Sequence, residues 1–260
     1  MNQRSQALAS LSKVPAVTFG FWVVKVAATT LGETGGDWVS MSLKLGYLIG
    51  SVIFVVIFLA LVAAQVRSKQ FHAALYWPTI IATTTLGTTM ADFADRSLGI
   101  GYPGGVGIVT TLLIVSLAVW YRSEGTVAVA SITEPKVEWF YWVTILFSQT
   151  LGTALGDWVA GFDGGGLGLG YENGALIFGA GLLVVVALYF WTSVSRTLLF
   201  WTAFILTRPL GATLGDLLDK PTAQGGLQVS RLLASLLLAA FIVLCVVLIP
   251  QRAAKTSDVV

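Results

Sequence analysis

Thr30-Leu31-Gly32-Glu33-Thr34-Gly35-Gly36-Asp37 decides how this chain is read, because the same eight-residue phrase returns three more times without a gap. It recurs as Thr85-Leu86-Gly87-x-Thr89-x-Ala91-Asp92, as Thr150-Leu151-Gly152-x-Ala154-x-Gly156-Asp157 and as Pro209-Leu210-Gly211-x-Thr213-x-Gly215-Asp216. Four matches in register are the signature of internal duplication. A companion phrase follows each: Gly46-Tyr47-x-x-Gly50, Gly101-Tyr102-x-x-Gly105, Gly170-Tyr171-x-x-Gly174 and the decayed Gly226-Leu227-x-x-Ser230.

Each phrase lies in an apolar run. A bilayer core needs about 20 apolar residues per helix, and eight segments qualify: 15–40, 45–66, 75–94, 103–121, 138–160, 172–191, 197–218 and 227–249. The expected fold is an all-α polytopic membrane protein with eight transmembrane helices, arranged as four parallel two-helix repeats at about 14–66, 73–121, 136–191 and 196–249. All lie in one transmembrane domain, 1–260. Composition agrees: 56% of the 260 residues are hydrophobic and 11% charged, with mean hydropathy +0.83, against about 25% charged in a soluble domain. Trp22, Trp77, Trp120, Trp139, Trp191 and Trp201 are expected in one interfacial belt, and Trp38 and Trp158 in the other.

Arg4, Lys13, Arg67, Lys69, Arg122, Lys136, Arg196, Arg252 and Lys255 occupy the termini and the even-numbered links, while the odd links hold only Lys44, Arg96 and Lys220. The positive-inside rule then puts both termini in the cytoplasm. Glu33, Asp37, Asp92, Asp95, Asp157, Asp163, Glu172, Asp216 and Asp219 gather toward the outer side. The Gly161–Gly170 stretch reads as a flexible outer loop, and Glu124, Glu134 and Glu138 as solvated residues of a cytoplasmic link.

At 100° per residue, Gly32/Gly36, Gly87/Ala91, Gly152/Gly156 and Gly211/Gly215 form small-residue seams for helix packing. The aspartates fall on another face, with Glu33 and a polar stripe of Thr30, Thr34, Thr85, Thr88, Thr89, Thr150, Thr153 and Thr213. Solvated helix ends would be a blander reading. Yet carboxylates at helix C-termini oppose the helix dipole, and boundary residues have no reason to recur beside hydroxyls. Asp37, Asp92, Asp157, Asp216 and Glu33 are therefore candidate cation ligands, their oxygen donors suiting Mg²⁺, Ca²⁺, Mn²⁺, Na⁺ or H⁺. Lys25 and Arg208, deep in their spans, are candidates for charge pairing or gating. So are Asp95 and Asp219, each three residues after a motif aspartate, and Arg231, expected to pair with Asp216 or Asp219.

The four phrases resemble a family of bacterial integral membrane proteins defined by a repeat of unknown function. That resemblance covers nearly the whole chain and implies architecture more than activity. Gly-Asp motifs on paired helices are also similar to those of cation/proton exchangers that export manganese or calcium, although the residue order differs and no position carries over.

The leading expectation is a cation transporter or exporter, for a hard metal ion such as Mn, Mg or Ca as substrate, with coupling to protons or sodium. An alternative is a carrier or channel for a small anionic or zwitterionic solute held by Lys25 and Arg208; a membrane sensor is a third. One Cys245 and one His72 leave no disulfide framework and no thiolate or imidazole metal site. No nucleophile constellation marks an enzyme, no cofactor is expected, and the partners are lipid and a small cation, without nucleic acid; a homo-oligomer is open.

Overall fold

A computed structural model describes residues 11–255, and Arg4 lies outside them. Between short strands β1 (Leu11–Pro15) and β2 (Ala253–Lys255) run eight long helices. They are α1 (Phe19–Asp37), α2 (Gly46–Arg67), α3 (Ala73–Asp92), α4 (Tyr102–Glu124), α5 (Pro135–Ala160), α6 (Tyr171–Trp191), α7 (Arg196–Asp219) and α8 (Arg231–Leu248). Local chemistry starts several of them. Thr18 accepts a hydrogen bond from the Phe21 amide at the head of α1, Ser195 accepts one from Leu198 at the head of α7, and Pro135 opens α5, where its missing N–H costs nothing.

The odd-numbered helices carry the repeated phrase and form a closed ring: α1 packs on α3, α3 on α5, α5 on α7 and α7 on α1. The same contact is made four times. Gly32 lies against Thr84, Gly87 against Gln149, Gly152 against Arg208, and Gly211 against Thr29. One turn further on, Gly36 meets Thr88, Gly156 meets Ala212 and Gly215 meets Glu33. A Cβ added to the first glycine of each pair would collide with its neighbour, so the small residues allow the approach that makes the ring.

The even-numbered helices form a sheath, but each leaves its own repeat. α2 packs on α3, α4 on α5, α6 on α7, and α8 crosses back to α1. Every unit thus rests on the next, and the last closes the circle. The sheath presents Leu48, Val52, Val56, Ile114, Leu183, Leu236 and Val247 outward. All four sheath helices, together with α7, are long and apolar enough to cross a membrane. Helices α1, α3 and α5 are more polar because their neighbours, rather than the surroundings, receive their side chains.

Aromatic side chains fill one end of the ring. Phe21 meets Trp77 at 5.6 Å between ring centroids, Tyr76 meets Trp142 at 5.8 Å, Tyr141 meets Trp201 at 6.4 Å and Phe200 meets Trp22 at 5.8 Å. Each pair joins one central helix to the next. This corrects the interfacial reading of the tryptophans: Trp77, Trp120 and Trp201 are buried, whereas Trp139 and Trp191 are exposed. Sequence hydropathy cannot tell an interfacial indole from one that plugs a bundle.

The first and last described strands meet at this aromatic end. Strand β1 pairs antiparallel with β2, the Lys13 amide donates to Ile132 O at 2.9 Å, and the Trp77 indole donates to Gln251 at 3.2 Å. Lys13 Nζ bonds Glu138 at 2.7 Å. Glu138 is buried, not a solvated link residue, because the folded-back N-terminal strand brings it a counter-charge. The Gly161–Gly170 stretch is likewise no loose loop. Its backbone folds onto the end of α5 through Leu167 N to Trp158 O, Gly168 N to Gly161 O and Gly170 N to Ala160 O.

Candidate functional site

The other end of the ring holds the four motif aspartates. Asp37, Asp92, Asp157 and Asp216 terminate, or nearly terminate, the four central helices, and all are buried. Beyond Asp37 and Asp92 the chain continues into π-helical turns, Trp38–Ser42 and Phe93–Ser97. Beyond Asp157 and Asp216 it turns away, with Gly161 N and Lys220 N each bonded to the aspartate's own carbonyl.

Two basic residues from the odd links reach into this cluster. Arg96 bridges Asp92 Oδ1 at 3.1 Å and Asp157 Oδ2 at 3.0 Å. Lys220 bridges Asp37 Oδ2 at 2.5 Å and Asp216 Oδ1 at 3.0 Å. Each therefore joins its own repeat's aspartate to that of the next. Tyr47 and Tyr102, from the companion phrase, steady Arg96: the first accepts from it at 3.3 Å and the second lies with its ring 5.9 Å below the guanidinium. Arg231 pairs with Asp219 at 3.3 Å and lies 3.7 Å from Asp37.

These bridges were missed in the sequence although a signal was present. Arg96 and Lys220 each stand four residues after a motif aspartate, where the other repeats have Met41 and Gly161. Asp95 and Asp219, three residues after, likewise replace Ser40 and Ala160. Repeats two and four share Asp-x-x-Asp-basic, while repeats one and three share Asp-Trp-Val. The fourfold scaffold thus carries a twofold pattern of charge.

One turn deeper, Arg208 lies on the ring's axis. Its NH2 group donates to Glu33 Oε2 at 2.9 Å, Thr88 Oγ1 at 2.5 Å and Thr153 Oγ1 at 2.5 Å. One guanidinium therefore touches all three other central helices. Glu33, Thr88 and Thr153 are equivalent positions, and the fourth, Ala212, leaves room for the arginine's own approach.

The predicted threonine stripe divides in the structure. Thr88 and Thr153 face the axis. Thr30, Thr85 and Thr150 instead donate to the carbonyls of Val26, Ile81 and Leu146 on their own helices, at 2.8–3.0 Å. Thr34, Thr89 and Thr213 also donate to their own helix and turn toward the sheath: Thr34 meets Ser235 at 2.9 Å, Thr89 lies by Gly50 and Thr213 by Gly174. These six hydroxyls are committed to backbone carbonyls, which buried polar groups require. Helical arithmetic put all eight on one broad face, and only the neighbouring helices separate that face into an axial and a sheath half.

Lys25 lies deeper still, fully buried, with its ammonium 4.1 Å above the Phe204 ring and 3.5 Å from Thr207 Oγ1. Among the described residues no carboxylate lies within ion-pair distance of it.

Two triads of carboxylate oxygens could hold a metal ion. Ligand atoms of Glu33, Asp37 and Asp92 lie within 4.8 Å of one another, and so do those of Asp37, Asp216 and Asp219. Both Asp95 oxygens, and one oxygen each of Asp37 and Asp219, are buried without a hydrogen-bond partner among the described residues. The carboxylate end is also unbalanced. Among the described residues, Glu33, Asp37, Asp92, Asp95, Asp157, Asp216 and Asp219 face Arg96, Arg208, Lys220 and Arg231, which leaves three formal negative charges uncompensated.

No curated protein and no solved structure matches the chain. A family model matches it four times in succession, over residues 20–71, 75–126, 140–195 and 199–250, so that each match takes in one central helix and the sheath helix after it. The chain belongs to the family defined by a Repeat of Unknown Function (DUF347).

Proposed function

We propose that this chain is an eight-span integral membrane protein that transports a small cation through its buried carboxylate end. The observation that carries the reading is the surplus of three buried carboxylates over basic groups. Uncompensated charge is expensive away from water, so such a cluster must take up protons or cations. The two oxygen triads suit a hard metal ion such as Mn²⁺, Mg²⁺ or Ca²⁺.

In this reading Arg96 and Lys220 act as tethered counter-ions. They keep four aspartates together when no cargo is bound, and an arriving cation shares or displaces them. Arg208, held on the axis by three helices, opposes free passage of a cation and favours a carrier over an open pore. The bundle registers support four parallel units, since successive contacts such as Gly32 with Thr84 and Gly36 with Thr88 advance in the same direction. Even the polar central helices then cross the membrane, sheathed from lipid by α2, α4, α6 and α8. The distribution of basic residues favours cytoplasmic termini, and the resemblance to a family of bacterial membrane proteins favours a bacterial inner membrane.

The test is thermal unfolding of the detergent-purified protein in a series of Mn²⁺, Mg²⁺, Ca²⁺ and Na⁺ at fixed ionic strength, with flux measured in vesicles. The cargo cation should stabilise by about 2.7 kcal/mol at a hundredfold excess over Kd. Asp92→Asn should weaken that effect at least about tenfold, the loss expected of one charged ligand contact. If no cation in the panel stabilises the protein or crosses the vesicle, the reading fails.

A further inference from the structure

Between the aromatic end and Arg208 lies a layer of the axis that the cation reading does not use. The equivalent residues there are Thr29, Thr84, Gln149 and Arg208, one from each central helix, all fully buried. Thr29 is satisfied, donating to Val26 O at 2.8 Å and to Thr207 O at 3.1 Å. The others are not. Thr84 Oγ1, Ser148 Oγ, both amide atoms of Gln149 and Nε of Arg208 have no hydrogen-bond partner among the described residues. Buried polar atoms are nearly always paired, so orphans from three helices at one level point to something that partners them.

The charge of this layer indicates what that is. Lys25, one turn toward the aromatic end, lacks a carboxylate partner among the described residues, and its one hydrogen-bond contact among them is the long one to Thr207. Arg208 spends NH2 on Glu33 and the two threonines and sets NH1 3.5 Å from Thr29 O, which leaves its Nε without a partner among the described residues. The orphan groups are rich in donors: an ammonium, a guanidinium N–H, two hydroxyls and an amide NH₂ stand against one obligate acceptor, Gln149 Oε1. A metal cation would meet two positive charges here. Water would satisfy the hydroxyls and the amide but would bring Lys25 no counter-charge.

We propose that this layer binds a small monovalent inorganic anion, of halide or nitrate size, between Lys25 and Arg208, coordinated by Thr84, Ser148 and Gln149. The anion supplies the negative charge that Lys25 lacks. Its site is distinct from the carboxylate end, and the two are separated on the axis by the Arg208–Glu33 pair. The proposal therefore stands whether or not the cation reading does.

The experiment measures thermal unfolding of the purified full chain at constant ionic strength as gluconate is replaced by chloride, bromide or nitrate. Bromide-soaked crystals, read by anomalous scattering, locate the ion. The expected result is a saturable rise in Tm and a bromide peak beside Lys25. Ser148→Ala, a mild change, should weaken the apparent affinity about tenfold. Lys25→Met should abolish the anion response and raise Tm in gluconate, since it removes an unpaired buried charge. Asp92→Asn should leave the response intact. Absence of any anion-dependent shift, an equal shift in Ser148→Ala and wild type, or a bromide peak only at the surface would each overturn the proposal. Loss of the cation effect in the same samples would overturn the cation reading alone.

Discussion

The two ends of the ring obey different symmetries. At the aromatic end, four Phe-Trp or Tyr-Trp pairs repeat one contact around the circle, each aromatic ring meeting the tryptophan of the next helix. At the carboxylate end the same four helices present identical aspartates, but basic residues follow only in the second and fourth repeats, so the ion pairs close in two steps, not four. Packing rewards repetition, because the same shape fits the same neighbour four times. Charge does not, because four aspartates and four cations would neutralise one another and leave nothing to bind. The aromatic end therefore reads as scaffold and the carboxylate end as the part free to diverge.

The sharpest way to break this comparison is at the axial pair that separates the ends. Arg208→Met leaves Glu33 buried without its counter-charge, and should destabilise by about 3–5 kcal/mol in an equilibrium unfolding titration. Adding Glu33→Gln should recover most of that loss. A double variant no better than the single one would mean that Arg208 serves the fold through its contacts with Thr88 and Thr153 alone.

A smaller effect tests the aromatic end. Tyr76 and Tyr141 share a buried hydrogen bond of 2.7 Å, while the equivalent Phe21 and Phe200 pack without one. Tyr76→Phe should cost about 1–3 kcal/mol by orphaning the Tyr141 hydroxyl. Replacing both tyrosines should be close to neutral if that end is a packing ring, and unfolding measurements on the three variants decide it.

A further effect lies at the carboxylate end and depends on pH. Asp95 lies beyond the end of α3, and burial, with the negative charge of Asp157 adding to it, pushes its carboxyl from 3.8 up to about 7. A raised carboxyl pKa favours the protonated folded form. Its contribution is full below 3.8, the unfolded value, and is lost as pH rises toward 7, beyond which it levels off. Unfolding midpoints should decline over that window in the wild type, and Asp95→Asn should flatten the decline.

Much of this architecture is legible in the sequence. The eight-residue phrase counts the repeats, its spacing sets two helices in each, and the small residues at Gly32 and Gly36 mark the seam, because all three follow from periodicity within one helix. The carboxylates are legible for the same reason. Their partners are not. Arg96 and Lys220 read as link residues, and Trp77 and Trp201 as interfacial, since hydropathy describes a residue and not the helix that comes to lie against it.

The sequence by itself therefore determined the repeat, the helices and the buried aspartates, all of which rest on interactions within a few residues of each other. Only the tertiary structure decided that each sheath helix packs on the following repeat, that Arg208 reaches three helices at once, and that Lys25 is buried against Phe204 and Thr207 with no carboxylate partner among the described residues. Those features depend on side chains more than fifty residues apart meeting at one axis. No local pattern encodes such meetings, because they arise when four nearly identical surfaces close on one another and their few differences are brought face to face.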